Sequence, residues 1–182
     1  MPTDDDCHLY STPVSQYWNP DRINVSYSKL ESFTCFSSWH ARNDIVQSAD
    51  ITGTDGSFKW RSIEKAKDGF FCKGQKMIYG YVSKPNHEGW MQIDLKKYYA
   101  LKCLKIFVGG TFNDIEFRFG NYSKNEDWTK NAFLAYSSKG MRNTIVKYCF
   151  DRPMVGRYVY LESKKKIDED IIQIGEIQVL VQ

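Results

Sequence analysis

The residues that could support catalysis are spaced too irregularly along this chain to form a known catalytic motif. The three histidines, His8, His40 and His87, are not at metal-binding spacing. No nucleophile elbow, glycine-rich phosphate loop or HExxH pattern is present. Asp94 and Glu116 fall on separate predicted strands, and nothing marks them as an acid and base pair. The sequence therefore predicts that the protein is not an enzyme.

The cysteines also lack a metal-binding arrangement. The chain holds five, without any CxxC spacing: Cys7, Cys35, Cys72, Cys103 and Cys149. Zinc is therefore not expected, and the odd number leaves at least one thiol free or paired between chains. Two N-glycosylation sequons begin at Asn24 and Asn121, and they become meaningful for an extracellular protein.

Composition narrows the class of protein. A chain of 182 residues is long enough for one well-buried core and short for two. The net charge of +3 is small and spread out, and the densest basic run, Lys164 to Lys166, is typical of a solvated hairpin tip. We therefore expect no nucleic-acid partner. No apolar run is long enough to span a membrane, and Met1 is followed by Pro2 and acidic residues rather than by a secretory leader.

A strand of alternating residues at Trp90 to Leu95 organises the rest of the chain. Met91, Ile93 and Leu95 fall on one side of it, which predicts a strand in the middle of a sheet with one face in a core. Other short alternating segments are predicted at 101–108, 115–119, 145–150, 155–161 and 172–181. Turn residues, among them Asp151 to Pro153, separate these segments. The pattern favours an all-β antiparallel sandwich or barrel.

The chain before Trp90 is less regular. Residues 1–23 are polar and contain three prolines, which predicts an N-terminal extension ahead of a domain at 24–182. Residues 24–39 are predicted to form one or two strands. Asp55-Gly56 marks a turn, and we expect its flanks to pair as a small hairpin. Trp60 to Ala66 has helical composition with room for about two turns.

Seven segments occur in an order that is hard to obtain by chance. They are NVSYSK from Asn24, SSW from Ser37, AKDG from Ala66, WMQIDLKKYYALKCLKI from Trp90, IEFRFGN from Ile115, GRYVYLES from Gly156 and IQIGEIQV from Ile172. Residues 24–181 thereby resemble the discoidin, or coagulation factor 5/8 type C, superfamily, and within it most of all the fucolectins (F-type lectins). The segment between Trp39 and Asp68 looks longer than is usual for that family.

The resemblance implies a jelly-roll β-sandwich of the galactose-binding-like type. It implies a non-catalytic binding module that holds its ligand with loops at one end, and in fucolectins also a structural calcium ion. The expected partner is a glycan or a cell-surface glycoprotein. The expected location is secreted, or on the extracellular face of a membrane protein.

The resemblance also implies where calcium would bind. In the family the ion lies in the loop that matches Ala66 to Gly69 and is closed by a glutamate of the last strand. Asp68 matches the loop carboxylate and Glu176 the closing glutamate, while Lys65, Phe70 and Gly175 match positions that supply carbonyl oxygens. Calcium prefers such a mixture of carboxylates and carbonyls. The alternative is that Asp68-Gly69 is only a turn and that Glu176 is a solvated strand residue.

The fucose-binding residues of the family are less well matched. Fucolectins hold fucose with a histidine in the loop before the tryptophan-containing strand and with two arginines in a later loop. Here the later loop, residues 109–114, looks shortened and has no arginine, and Thr111 stands where the second one is expected. His87 lies closer to Trp90 than the family pattern places it. Recognition of fucose by the usual triad is therefore not expected.

Aromatic side chains near that end are the remaining ligand contacts to consider. Together with His87 the predicted contacts are Tyr79, Tyr81, Phe112 and Trp128. Aromatic faces stack on sugars and anchor protein interfaces equally well. The alternative is that these residues fill the core, and for Trp128 structural packing is the favoured reading.

The family's disulfides do not transfer to this chain. Cys72 falls near a family cysteine, but Gly175 occupies the position of its usual partner. Cys149 precedes GRYV as in the family, but its expected partner is absent, so the pairing stays open.

Two hypotheses from different classes follow from the sequence. The first is a lectin-like, carbohydrate-binding module. The second is an extracellular protein-interaction or adhesion domain with a protein receptor, which kept the fold and lost the sugar-binding triad.

Overall fold

The computed structural model describes residues 23–29, 34–36, 44–73, 78–85, 89–108, 115–137, 144–163 and 172–182. Within them the strands are β1 (Ile23–Lys29), β2 (Thr34–Phe36), β3 (Asp50–Gly53), β4 (Phe71–Lys73), β5 (Ile78–Tyr79), β6 (Tyr81–Val82), β7 (Trp90–Val108), β8 (Ile115–Gly120), β9 (Ala132–Ser137), β10 (Thr144–Ser163) and β11 (Gln173–Val181). Short 3-10 helices cover Val46–Ser48, Lys59–Arg61, Ile63–Ala66 and Trp128–Lys130.

Strand β7 runs through the centre of the larger sheet. Its first half, Trp90 to Leu95, pairs with β3 and with the end of β10. Its second half, Leu101 to Val108, pairs with β11 and with the start of β10. Between the halves lies Lys96, which has a positive φ of 71 degrees. The two halves therefore share β10 as one neighbour and differ in the other, which is β3 for the first half and β11 for the second.

The strands form an antiparallel arrangement throughout the described pairs. The larger sheet has the order β6-β11-β7-β10-β8-β9, with β1 on β10 and β3 on β7. A smaller sheet has the order β2-β4-β5. The predicted all-β antiparallel sandwich is therefore confirmed.

The core lies on the side of the strands that the alternation predicted. Met91, Ile93 and Leu95 are 0%, 0% and 3% exposed, whereas Trp90 on the opposite face is only half-buried. Residues of the neighbouring strands complete the apolar cluster, including Leu104, Ile106, Phe117, Phe119, Val159, Leu161, Ile177 and Val179.

Two pairs of predicted strands are in fact single long strands. The segments at 90–95 and 101–108 both lie in β7, and those at 145–150 and 155–161 both lie in β10. The predicted break at Asp151 to Pro153 is a shift of register between Cys149 and Met154 rather than a strand end. Pro153 has no N–H to donate, and such an irregularity accommodates it without ending the strand.

The predicted hairpin around Asp55-Gly56 is wrong. Ile51 and Thr52 pair with Ile93 and Gln92 of β7. Lys59 to Arg61 form a 3-10 turn instead of a second strand. Pairing with β7 buries the Ile51 side chain, and a local two-stranded hairpin could not bury it to the same extent. The helical composition of 60–66 appears as two single 3-10 turns.

A disulfide links the two long strands. Cys103 of β7 is bonded to Cys149 of β10, which lies opposite it in the register. This answers one of the pairings that the sequence left open. The register also places Cys35 opposite Cys72. Cys7 lies outside the described residues, as does the predicted extension up to residue 22, so the domain boundary stays a prediction. None of the helices in the described parts of the chain has the length and hydropathy needed to cross a bilayer.

Candidate functional site

The loop predicted to bind calcium is a tight turn that follows a 3-10 helix. The helix spans Ile63–Ala66, and Lys67 caps its end. Gly69 has a φ of 80 degrees, a left-handed conformation that glycine adopts without steric cost. The backbone N–H of Phe70 donates to Oδ1 of Asp68 at 3.0 Å. Asp68 therefore stabilises the turn through one oxygen, as aspartate commonly does two residues ahead of a backbone donor.

Glu176 of β11 lies beside this turn although it is distant in the sequence. Its side chain is 0% exposed, so the alternative of a solvated strand residue is wrong. Its Oε1 accepts a hydrogen bond from the Gly69 N–H at 3.2 Å. Its Oε2 is buried and has no hydrogen-bond partner among the described residues. Burial, together with the neighbouring carboxyl group of Asp68, raises the pKa of Glu176 to about 10.

Gly175, the residue before Glu176, packs directly against the backbone of Gly80. A Cβ built on Gly80 would lie 2.5 Å from the Cα of Gly175, and Gly80 itself has a φ of 153 degrees. The two backbones therefore approach as closely as glycine permits. This contact brings the residues before β6 against β11 and holds Glu176 at the Asp68 turn.

The lysines of the loop do not neutralise Glu176. Lys67 Nζ donates to the backbone oxygen of Ala49 at 2.7 Å and to that of Gln47 at 3.2 Å. Lys65 Nζ lies 3.8 Å from Oδ2 of Asp68, and the Lys65 side chain is 46% exposed. The described residues contain no group of three or more His, Cys, Asp or Glu side chains placed to hold a metal. An ion at this place would therefore need backbone carbonyl oxygens besides the two carboxylates, which suits calcium better than a transition metal.

A cavity of about 350 Å³ opens beside the same turn. It is lined by Trp60, Lys65, Asp68, Phe70 and Gly80. Trp60 and Phe70 are 49% and 45% exposed. The sequence analysis did not select Trp60 as a ligand contact. The available signal was an aromatic residue in the segment that looks longer than is usual for the family.

The structure describes only some of the predicted ligand contacts. His87 and Phe112 lie outside the described residues, and so does the side chain of Tyr79, whose backbone is in β5. These three stay predictions. Tyr81 is 0% exposed, and its hydroxyl donates to the backbone oxygen of Thr54 at 2.6 Å. Burial raises its pKa. Tyr81 is therefore a core residue, and a ligand contact through its side chain is not supported.

Trp128 packs on the outer face of the sheet. Its ring stacks on that of Tyr160 with the centroids 4.3 Å apart, and Tyr160 in turn stacks on Trp90 at 6.2 Å. The ammonium group of Lys124 lies 4.4 Å from the centre of the Trp90 ring. Structural packing of Trp128, the alternative favoured from the sequence, agrees with these contacts.

The strand carboxylates are paired with arginines and not with each other. Arg157 donates to both oxygens of Asp94, at 2.7 and 2.9 Å. Arg118 donates to Glu116 at 2.5 Å. The hydrogen bond from Arg157 holds the pKa of Asp94 below its ordinary value. The forked contact of Arg157 with Asp94 joins β10 to β7, whereas Arg118 and Glu116 are paired within β8.

The fold defined by these elements is the galactose-binding-like jelly roll, shared by lectins and carbohydrate-binding modules. No family model and no curated protein matches the sequence. A fucolectin from Morone saxatilis (striped bass) serum is similar, with a TM-score of 0.60 and 17% identity over 82% of this chain. The match spans 50% of that fucolectin's length.

Two smaller modules match over nearly their whole length. The family 32 carbohydrate-binding module of C. perfringens NanJ, solved with galactose, has a TM-score of 0.57 and 15% identity. The match covers 75% of this chain and 97% of that module. A fucose-binding module of Streptococcus pneumoniae has a TM-score of 0.56 and 12% identity, covering 76% of this chain and 98% of the module. The galactose-binding-like fold predicted from the resemblance is confirmed.

Proposed function

We propose that the protein is a non-catalytic carbohydrate-binding module that recognises a glycan or a cell-surface glycoprotein. The observation that carries the proposal is the fold. Residues 24–181 resemble the fucolectins, and the architecture matches modules whose names give fucose and galactose as ligands. The pairing of Asp94 and Glu116 with arginines is consistent with a binding role rather than with chemistry.

A glycan array with the full chain tests this function. Specific and saturable binding is the expected result, and inhibition by the free sugar should follow for each positive glycan. The protein's fold is checked in the same buffer by circular dichroism, which should show mainly strand. A blank array from a folded sample would contradict the proposal and favour the second class, a domain that binds a protein receptor.

We further propose that Asp68 and Glu176 hold a structural calcium ion. Two facts support it: the buried Oε2 of Glu176 lacks a hydrogen-bond partner among the described residues, and Asp68 stands beside it. Two neighbouring carboxylates repel each other unless a proton or a cation lies between them. Backbone carbonyl groups of Lys65, Phe70 and Gly175 are the proposed additional ligands. The ion would supply no chemistry; it would tie the Asp68 turn to the last strand.

The proposed location is extracellular. A disulfide between Cys103 and Cys149 is typical of proteins that fold in an oxidising compartment. The sequon at Asn121 is on an exposed residue, as glycosylation requires. Peptide mapping of protein secreted from eukaryotic cells would show both the disulfide and a glycan on Asn121. An unmodified Asn121 together with a reduced Cys103 would argue against this location.

A further inference from the structure

An exposed aromatic cluster borders the cavity beside the Asp68 turn. Phe58, Trp60 and Phe70 are 62%, 49% and 45% exposed. Exposed apolar surface forgoes about 25 cal/mol of stabilisation for each Å² that could have been buried. Stability therefore does not explain why three large aromatic side chains are exposed within one short stretch of chain. Such patches often mark binding sites.

The Trp60 ring contacts two neighbouring side chains. The Phe58 ring lies nearly parallel to it, with an interplanar angle of 7 degrees and centroids 5.8 Å apart. The guanidinium carbon of Arg61 lies 4.3 Å from the centre of the Trp60 ring, and Arg61 is only 7% exposed. These contacts favour one orientation of the Trp60 ring, which reduces the side-chain entropy that a ligand contacting it would cost on binding.

Polar groups share the cavity with this aromatic wall. Lys65 and Asp68 line it together with Trp60 and Phe70. The side chains of Lys65 and Asp68 are 46% and 32% exposed, so both can be reached from solvent. An ammonium group donates hydrogen bonds and a carboxylate accepts them. A sugar ring needs this combination, because it carries hydroxyl groups around its edge and C–H bonds on its faces.

The size of the cavity favours a small ring over a protein. Its volume of about 350 Å³ lies at the lower end of the range for small-molecule pockets. A protein partner of ordinary affinity covers about 800 Å² on each side. A concave site with one apolar wall and two charged groups suits the end of a glycan chain better than a broad, flat protein surface.

We infer that this cavity is the carbohydrate-binding site, and that it takes a terminal pyranose residue. The sugar packs against Trp60 and Phe70, and its hydroxyl groups bind Lys65 and Asp68. The inference rests on the proposed function and gives it a location. None of the lining residues belongs to residues 109–114, where the arginines of the fucose-binding triad have no counterpart in the sequence.

The test compares variants on one glycan. The wild-type protein is first screened on a glycan array, and a positive glycan is then titrated by calorimetry; L-fucose, D-galactose and a chitosan oligosaccharide are titrated in parallel. The variants are Trp60→Ala, Phe70→Ala and Lys65→Met, each of which leaves the backbone carbonyl groups in place. Tyr98→Ala is the matched control, because Tyr98 is 63% exposed and does not line the cavity.

We expect Trp60→Ala and Phe70→Ala each to weaken binding by about tenfold, the loss for an aromatic contact of about 1.4 kcal/mol. Lys65→Met should weaken it less, and Tyr98→Ala should leave it within about twofold, the scatter expected for a surface change. Equal melting temperatures exclude unfolding as the cause. If the wild type binds a glycan and both aromatic variants bind it equally well, the location is wrong while the proposed function stands. If the wild type binds no glycan, both are overturned.

Discussion

At the scale of single residues, the most informative side chain is Glu176, because it is a buried carboxyl group with one oxygen left without a described partner. Glu176→Gln keeps the shape of the side chain and removes its ability to become a carboxylate that binds a cation. We expect this variant to fold in the presence of chelator and to show no rise in melting temperature when calcium is added. Differential scanning calorimetry with chelator and with millimolar calcium makes the measurement.

The control for that variant is Glu64→Gln. Glu64 is exposed and belongs to the same 3-10 helix as Lys65, but it lies outside the cavity lining. It should keep the full calcium response of the wild type. A response in Glu176→Gln as large as in the wild type would exclude Glu176 as a ligand.

The ion pair of Asp94 and Arg157 predicts a dependence of stability on pH. Hydrogen bonds from Arg157 lower the pKa of Asp94 in the folded protein. A lowered carboxyl pKa adds stability above the unfolded value, about 3.9, and this contribution is lost as the pH falls through the folded pKa. Asp94→Asn should therefore melt below the wild type at neutral pH, and the difference should shrink below about pH 4.

Thermal melts between neutral pH and about pH 3 test this, since they bracket the carboxyl pKa. Asp50→Asn is the control, because Asp50 pairs with Lys96 at an exposed position where an ion pair adds little. An Asp94→Asn difference that stays constant through the acid range would show that the charge of Asp94 is not what stabilises the strands.

At the scale of elements, the sequence predicted strands well where apolar and polar residues alternate. It predicted them poorly where a strand forms by pairing with residues that are distant in the sequence. Met91 and Ile93 are buried as their spacing predicted. Tyr81 was predicted to be a ligand contact, because glycines and Pro85 interrupt its segment and make it look like a loop. It is buried because β6 pairs with β11, and no local pattern shows a contact with residues so distant. For the same reason, the sequence did not show that β7 and β10 are each one continuous strand.

The disulfide between Cys103 and Cys149 should stabilise the pairing of β7 and β10. The two cysteines are 46 residues apart, and closing a loop of that length in the unfolded chain is worth up to about 4 kcal/mol. The double variant Cys103→Ser, Cys149→Ser should therefore unfold at lower urea concentration than the oxidised wild type. Adding a reductant to the wild type should move its midpoint toward that of the variant.

Non-reducing peptide mapping provides the control for that experiment. It should recover a peptide pair joined through Cys103 and Cys149, and it would also reveal any bond between Cys35 and Cys72, which face each other in the register. An oxidised wild type that unfolds at the same midpoint as the double variant would contradict a stabilising role.

At the scale of the whole molecule, the site joins parts of the chain that the sequence presents separately. Asp68 and Glu176 were matched through the resemblance, and the structure brings their loop and strand together. Trp60 could not be selected in that way, because it lies in the segment that departs from the family. Its exposure and its place in the cavity depend on how that segment packs, which neither periodicity nor spacing reveals.

Calcium should therefore stabilise the whole fold and not only one loop. An ion held by Asp68 and Glu176 connects the chain before β4 to its last strand, so it can bind tightly only when the sandwich is formed. At a concentration 100 times the dissociation constant, such binding adds about 2.7 kcal/mol. For a chain of this size that corresponds to a rise of about 5–10 °C in melting temperature. The rise should grow with the logarithm of the calcium concentration.

Magnesium should restore less of this rise in melting temperature, because it demands a tight octahedral shell that a loop rich in carbonyl groups does not offer. Melting curves over a calcium series, with a magnesium series as control, test whether calcium stabilises the fold. The same melting temperature in chelator and in millimolar calcium would mean that Asp68-Gly69 is only a turn.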